Sequence, residues 1–227
     1  MKYLQTLATV VILIACSEAT NAGAAPGVNA NDLLTRSQAA VRAKNTSHLA
    51  LTMRLSVLGS QRVQLHFEGD LSQRPALARF VAQSQLPTQA NGIQSLRITE
   101  IIVGNTIATG ETGKAYKCGR VKSITQAYQG IIGTPQRGSA TLLGTGAVGE
   151  VAVYRIRAVT TRTVQGATVH APLVYSIARA TLLPIRVTGT VNTQINGVPL
   201  REKIMASYSR YGQPVHVSLP AACAKRG

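Results

Sequence analysis

The sequence predicts an α+β domain, in which long antiparallel strands form a sheet and helices cover one of its faces. In the carboxyl third, Ile185 and Val187 alternate with Arg186 and Thr188, which is typical of a strand with one buried face. Asn196-Gly197, a strong hairpin signal, separates two such alternating runs. Two other segments, residues 31–44 and 121–132, carry apolar residues at helical spacing instead.

The three strands of the carboxyl third form a meander in this prediction. We assign them to residues 173–178, 184–192 and 201–219, the last of them broken at residues 211–214. A meander of this kind has one apolar face, which another element has to cover.

The first helix is predicted to run from Asn31 to about Lys44. Asn31 can cap the amino end, while Leu33 and Leu34 fall on one apolar face. The polar residues that begin at Asn45 are expected to end the helix.

The strands of the amino half follow the same alternation of apolar and polar residues. We assign them to residues 51–57, 63–67, 76–83, 96–103 and 105–109. Gly59-Ser60 turns the first hairpin, Gly69-Asp70 leads toward the third strand, and residues 85–94 read as a polar loop.

The second helix, residues 121–132, is followed by Gly133-Thr134-Pro135, which is expected to stop it. A helix this apolar is suited to lie over a sheet face as a lid. It is equally suited to fill the core as a plug, and the sequence does not separate these alternatives.

Residues 144–149 match the spacing G-x-G-x-x-G of dinucleotide-binding loops. That motif works between a strand and a helix, whereas here Val151 and Val153 continue as a strand. We therefore interpret the segment as a turn and expect no nucleotide or other cofactor.

The amino terminus has the features of an export signal. Residues 1–15 combine Lys2 with a short apolar run that ends at Cys16. The order of an apolar residue, a small residue and a cysteine in Ile14-Ala15-Cys16 is similar to a bacterial lipobox. This similarity implies that Cys16 is diacylated, becomes the mature amino terminus and anchors the protein on the outer face of the cell membrane. The alternative is ordinary secretion, with cleavage after Ala24. Residues 16–29 then form a tether to a single domain at residues 30–223.

Two cysteines remain once Cys16 is assigned to lipid. Cys118 and Cys223 are an even number in a compartment that permits disulfides, so we expect a bridge between them. The alternative is two free thiols.

Several motifs near the carboxyl end resemble one family of proteins. They are Val174-Tyr175-Ser176-Ile177, Leu183-Pro184-Ile185-Arg186-Val187, residues 208–215 and Leu219-Pro220. The chain resembles the LppX/LprG-type lipoproteins of mycobacteria and their relatives, which share the fold of the LolA lipoprotein carrier. The resemblance implies a curved antiparallel half-barrel whose concave face is covered by helices and encloses an apolar cavity for acyl chains. The family usually has a Trp soon after Thr112-Gly113, and this chain has none.

The charge balance favours anionic partners. Lys and Arg number 24 against 8 acidic residues, which gives a formal net charge of +16. The basic residues are scattered along strands and aromatic residues make up only 4% of the chain, so we expect no nucleic-acid binding.

The sequence contains few residues that could form a catalytic site. Glu68 and Asp70 form the one close pair of carboxylates, which suits either a glycosidase-like pair or a solvated sheet edge. The histidines, at positions 48, 66, 170 and 216, do not have the spacing of metal ligands. We expect neither an enzyme nor a metal site.

The functional hypothesis is a monomeric cell-envelope lipoprotein that binds and carries the acyl chains of a lipid or glycolipid. The residues expected to line its cavity are Leu55, Val57, Leu65, Phe67, Ile98, Ile124, Tyr128 and Ile131. A one-residue slip would reverse the face on which each strand residue lies, so the sequence leaves that choice open. The alternatives are an envelope-stress sensor that binds a membrane protein partner, and a structural surface protein.

Overall fold

The computed structural model describes residues 28–57, 61–87, 93–121, 134–164, 167–195 and 198–224. Within these ranges the chain forms one sheet of twelve strands and two helices. The helices are α1 (Ala30–Lys44) and α2 (Ala221–Ala224). The strands are β1 (Thr46–Val57), β2 (Gln61–Ser72), β3 (Leu77–Pro87), β4 (Ile93–Val103), β5 (Thr106–Glu111), β6 (Lys117–Arg120), β7 (Thr134–Pro135), β8 (Thr141–Val148), β9 (Val151–Val164), β10 (Ala167–Ala178), β11 (Pro184–Ile195) and β12 (Val198–Ser209).

The sheet is open, curved and antiparallel at every pairing between the described strands. Its order is β6-β5-β4-β3-β2-β1-β12-β11-β10-β9-β7, and β8 also pairs with β9. Two meanders, one from each half of the chain, are therefore joined where β1 pairs with β12. The antiparallel strands predicted from the alternation are confirmed.

The register of the strands determines which side chains share a face, because residues that pair directly point to the same side. Leu51 pairs with Phe67 on β2 and with Ala206 on β12, and we call the side that carries them the inner face. The opposite side is the outer face. Large, fully buried apolar side chains on the inner face are Leu49, Leu51, Ile102, Ile156, Leu173, Ile177, Val187 and Val191.

Helix α1 begins two residues earlier than the sequence predicts, because Asn29 rather than Asn31 is its cap. The backbone of Asn29 is extended, and its Oδ1 accepts hydrogen bonds from the amides of Asn31 (2.9 Å) and Asp32 (3.3 Å). The side chain of Asn31 instead accepts a hydrogen bond from the amide of Ala140, at 3.2 Å. The helix ends before Asn45, whose φ of 62° reverses the chain.

The apolar face of α1 packs into the same cluster as the inner face of the sheet. Ala30, Leu33 and Leu34 are buried there, and Val28 packs against them. Val28, the next-to-last residue of the predicted tether, is therefore part of the packed domain. The second predicted helix lies outside the described residues, apart from Val121.

Two loops predicted from the sequence of the amino half are shorter than expected. Gly69 and Asp70 lie within β2 rather than in a turn after it. Gly69 is needed there because a Cβ at this position would collide with the ring of Phe80 on β3. The polar loop expected at residues 85–94 also shortens, since β3 continues to Pro87 and β4 begins at Ile93.

The glycine-rich segment at residues 144–149 is mostly strand rather than turn. Gly144 and Gly146 belong to β8, which pairs with β9. Gly149, with a φ of 58°, provides the turn. No helix follows the motif, so the geometry that would place a helix end against a pyrophosphate is missing in this hairpin.

The last predicted strand is wrong beyond Ser209. Arg210 and Gly212 have positive φ angles of 51° and 75°, and Pro214 lacks an amide hydrogen, so the chain leaves the sheet. Residues 213–220 have no regular structure and lead to α2. They cross the outer face, where Val217 and Leu219 pack against a small cluster of Ile101, Ala108 and Cys223; we call residues 210–224 the carboxyl strap.

Candidate functional site on the inner face

The structure brings four of the predicted cavity residues together on the inner face. They are Leu55, Leu65, Phe67 and Ile98. Phe67 on β2 and Ile98 on β4 both pair with Ala82 on β3, while Leu65 pairs with Met53 on β1. The choice of face, which the sequence left open, is the same for all four residues.

The burial of the inner face changes along the strands. Near the start of β1, Leu49 and Leu51 are 1% and 0% exposed, and Phe67 is 8% exposed. Toward the end of β1 the apolar side chains become half-buried. This set, which we call the apolar strip, consists of Met53, Leu55, Val63, Leu65, Leu96, Ile98 and Leu200.

The role of all eight predicted residues as a cavity lining stays a prediction, and the side chains of the other four cannot be placed. Val57 is the last residue of β1 and pairs with Leu200, but its side chain lies outside the described part of the structure. Ile124, Tyr128 and Ile131 fall within residues 122–133, which are also outside it. Whether the predicted second helix is a lid or a plug therefore stays open.

Three polar residues on the inner face were missed by the sequence analysis. Glu202 on β12 is 2% exposed and pairs with Leu55 and Val191, so a carboxyl group is buried beside the apolar strip. Its position in the apolar phase of β12, two residues before the buried Ile204, is a signal that could have identified it.

Glu100 and Tyr175 are the other two polar residues. Burial raises the pKa of the Glu100 carboxyl, which is half-buried beside Phe80. Burial also raises the pKa of the Tyr175 hydroxyl, and that oxygen has no hydrogen-bond partner in the described structure. A buried hydroxyl without a partner is unusual and adds a polar point to an otherwise apolar core.

The predicted carboxylate pair lies on the outer face, where it surrounds His48. The Nδ1 atom of His48 is 2.8 Å from Oδ1 of Asp70, and its Nε2 is 3.3 Å from Oε1 of Glu68. Arg210 contacts the His48 ring and lies 3.5 Å from Asp70. The two carboxylates thus share a face, as expected, but they hold a 7% exposed histidine between them. This contact cannot be recognised from the sequence, because His48 lies on β1 while Glu68 and Asp70 lie on the neighbouring strand β2.

A polar cavity of about 140 Å³ adjoins this cluster beneath the carboxyl strap. The polar residues that line it include Asp70, Arg79, Arg210 and His216. Tyr211, also on the strap, donates a hydrogen bond from its hydroxyl to the carbonyl of Pro184, at 2.6 Å. The polar cluster therefore fastens the strap to the sheet.

Cys118 on β6 and Cys223 on α2 lie at disulfide distance, with Cα atoms 5.5 Å apart and a sequence separation of 105. This placement agrees with the pairing expected from the sequence. We call His48, Glu68, Asp70 and Arg210 the His48 cluster. This cluster holds one end of the strap against the outer face, and the cysteine pair holds the other.

Neither metal ligation nor membrane crossing is indicated by the described residues. They contain no group of three or more His, Cys, Asp and Glu side chains arranged to hold a metal ion. Among the same residues, no helix combines the length and the apolar character needed to cross a bilayer.

No protein-family model matches the chain, and no curated protein matches it. Three solved structures are similar to it. A DUF1329 family protein from Desulfovibrio piger has 12% identity and a TM-score of 0.34, with 82% of this chain and 93% of that chain covered. A LolA superfamily protein from Nitrosomonas europaea has 9% identity and a TM-score of 0.31, with 83% and 96% covered. MucB, solved in complex with MucA(peri), has 15% identity and a TM-score of 0.36, with 86% and 61% covered. None of these three is described as an LppX/LprG-type lipoprotein.

Proposed function

We propose that this protein binds the acyl chains of a lipid or glycolipid along the apolar strip and carries them in the bacterial cell envelope. The observation that carries the proposal is the continuity of the strip with the core. Leu55, Leu65 and Ile98 share one face with the fully buried Leu51, yet they are only half-buried themselves.

The physical argument is the transfer of apolar surface out of water. Burial of each methylene group contributes about 0.8 kcal/mol, so an acyl chain gains free energy along the strip without forming specific bonds. The half-buried side chains of the strip would also lose their remaining contact with water. Binding of this kind needs shape and apolar area rather than catalytic groups.

The finer parts of the proposal come from the sequence. Cys16 would be diacylated and anchor the protein to the outer face of the cell membrane, while residues 17–27 would connect it to the domain. The excess of basic residues favours a lipid with an anionic headgroup. Replacement of Cys16 by Ala should then leave the protein either free of membranes or unprocessed, whereas an unlipidated mature chain that starts at Ala25 would contradict the anchor.

The test compares two variants on the same strand. Leu65→Asn places an amide in the apolar strip, whereas Gln64→Asn changes the exposed neighbour on the outer face. Fluorescent titration with cis-parinaric acid should show affinity weakened about tenfold or more by Leu65→Asn, because covering an amide that has no hydrogen-bond partner costs about 1–3 kcal/mol. Gln64→Asn should bind like the parent chain. Equal affinity in both variants, or no uptake of the probe by the parent, would contradict the proposal.

A further inference from the structure

Two cations face each other directly on the outer face of the sheet. Arg54 on β1 pairs with Lys203 on β12, and both side chains are exposed. Like charges that lie directly opposite each other destabilise a sheet. Arg201, two residues before Lys203, adds a third exposed cation to the same face. We call these three residues the cationic patch.

The patch has no compensating carboxylate nearby on the described strands. The outer-face carboxylates of those strands are Glu68 and Asp70, which are held in the His48 cluster. Glu68 pairs with Ala50, four residues along β1 from Arg54, or about 13 Å. Glu202 lies between two patch residues in sequence but points to the inner face.

The residues that pair with the patch are polar and uncharged, and one exposed apolar residue lies beside them. Thr190 pairs with Lys203, Ser56 pairs with Arg201, and Gln64 on β2 pairs with Arg54. Met205, which is 51% exposed, lies two residues from Lys203 and projects from the same face. None of these pairing residues carries a charge that could neutralise the cations, so the cations can contact the surface of one large partner together.

We infer that the cationic patch docks the protein onto a membrane surface rich in anionic phospholipid. Charge complementarity selects an anionic surface, and the exposed Met205 suits a partner with an apolar interior. The patch residues on β1 and β12 are arginine and lysine, with no aromatic side chain to stack a nucleic-acid base.

The place of the patch agrees with this partner. Arg54 is adjacent in sequence to Leu55 of the apolar strip, and the two side chains lie on opposite faces of the same end of the sheet. Docking through the patch would bring that end close to the membrane. The inference does not require that the strip itself bind lipid.

The experiment measures cosedimentation of residues 17–227, which lack both the apolar export signal and the acylated cysteine, with two kinds of vesicle. One is phosphatidylcholine alone, and the other contains phosphatidylglycerol as well. We expect binding to the anionic vesicles only, and weaker binding as salt rises from about 0.05 to about 0.5 M. Each cation near an anionic surface contributes about fivefold in affinity, so Arg54→Gln with Lys203→Gln should weaken binding more than tenfold.

The matched control is Arg36→Gln with Arg42→Gln, which removes the same charge from exposed positions on α1. The control should bind nearly as the parent does. Because the patch variant relieves a like-charge pair, its unfolding midpoint should be no lower than that of the parent, which excludes misfolding. Leu65→Asn should leave vesicle binding unchanged, which separates this inference from the proposed function.

Three results would overturn the inference. The first is equal loss of binding in the patch variant and the α1 control. The second is binding to phosphatidylcholine as tight as binding to the anionic vesicles, or no binding to either. The third is tighter binding of duplex DNA or of an acidic polypeptide than of the anionic vesicles, since it would identify a different partner.

Discussion

Phe67 and Phe80, the two phenylalanines of the chain, stack on each other with ring centroids 4.9 Å apart and planes 28° apart. They join β2 to β3 on the inner face, where the fully buried core meets the apolar strip. In a chain without tryptophan, this pair supplies a large part of the aromatic surface of the core.

The first prediction concerns this pair. Phe80→Ala should lower the free energy of unfolding by about 3–5 kcal/mol, because it removes the stacked ring and leaves a cavity. Urea unfolding measures the change. Gln83→Ala, at an exposed position of the same strand, is the control and should change it by less than about 0.5 kcal/mol. Similar losses in both variants would mean that the ring pair is not central to the core.

The second prediction concerns the glycine opposite the Phe80 ring. A methyl group at Gly69 would collide with that ring, whereas one at Gly119 would meet only Ile107, at 3.4 Å. Gly69→Ala should therefore cost about 1–3 kcal/mol, as overpacking does. Gly119→Ala should be close to neutral in the same thermal unfolding experiment. A neutral Gly69→Ala would show that both the ring and the carbonyl of Arg79, which the methyl group would also meet, can move aside without loss.

The third prediction concerns Cys118 and Cys223. Non-reducing peptide mapping should recover one cross-linked pair of peptides. Replacement of both cysteines by serine should lower the free energy of unfolding by about 2–5 kcal/mol. Without the cross-link the unfolded chain gains conformational entropy, which favours the unfolded state. Two thiols that can be alkylated in unfolded, unreduced protein would contradict the bridge.

The fourth prediction concerns pH and Glu100. Burial raises the pKa of this carboxyl in the folded state above its ordinary value of 4.5, so the folded state binds the proton more tightly. The stability that protonation contributes is fully present below the ordinary pKa and is lost as pH rises through the folded pKa. Glu100→Gln should therefore stabilise the protein near neutral pH, and this gain should disappear at acidic pH.

The control for that measurement is Glu150→Gln, which changes an exposed carboxylate in the turn between β8 and β9. Its effect on the free energy of unfolding should vary little with pH. If Glu100→Gln behaves in the same way, the carboxyl at position 100 is solvated in the folded protein.

The regular parts of the fold could be predicted because alternation and helical spacing are local properties of the sequence. The β11–β12 hairpin follows from Asn196-Gly197, and helix α1 follows from its apolar face. Errors arose where tertiary contacts decide the outcome. The side chain of Asn31 accepts a hydrogen bond from Ala140, so Asn29 caps α1 instead. The packing of Val217 and Leu219 on Ile101 takes the chain end out of the sheet.

The candidate site was predictable in part for the same reason. The apolar residues Leu55, Leu65 and Ile98 were identified from alternation alone, but their common face is set by strand register across four strands. The pairing of Arg54 with Lys203 depends on the contact between β1 and β12, which are about 150 residues apart in the chain, so no local pattern indicates it.

The most direct measurement of the central claim is the identification of bound lipid. The chain without residues 1–16 is purified without detergent and extracted with organic solvent, and the extract is examined by mass spectrometry. The proposed function predicts an acyl lipid in the extract of the parent chain, and much less of it after Leu65→Asn than after Gln64→Asn. A parent chain that contains no lipid, and takes up none when offered anionic phospholipid or glycolipid, would contradict the account.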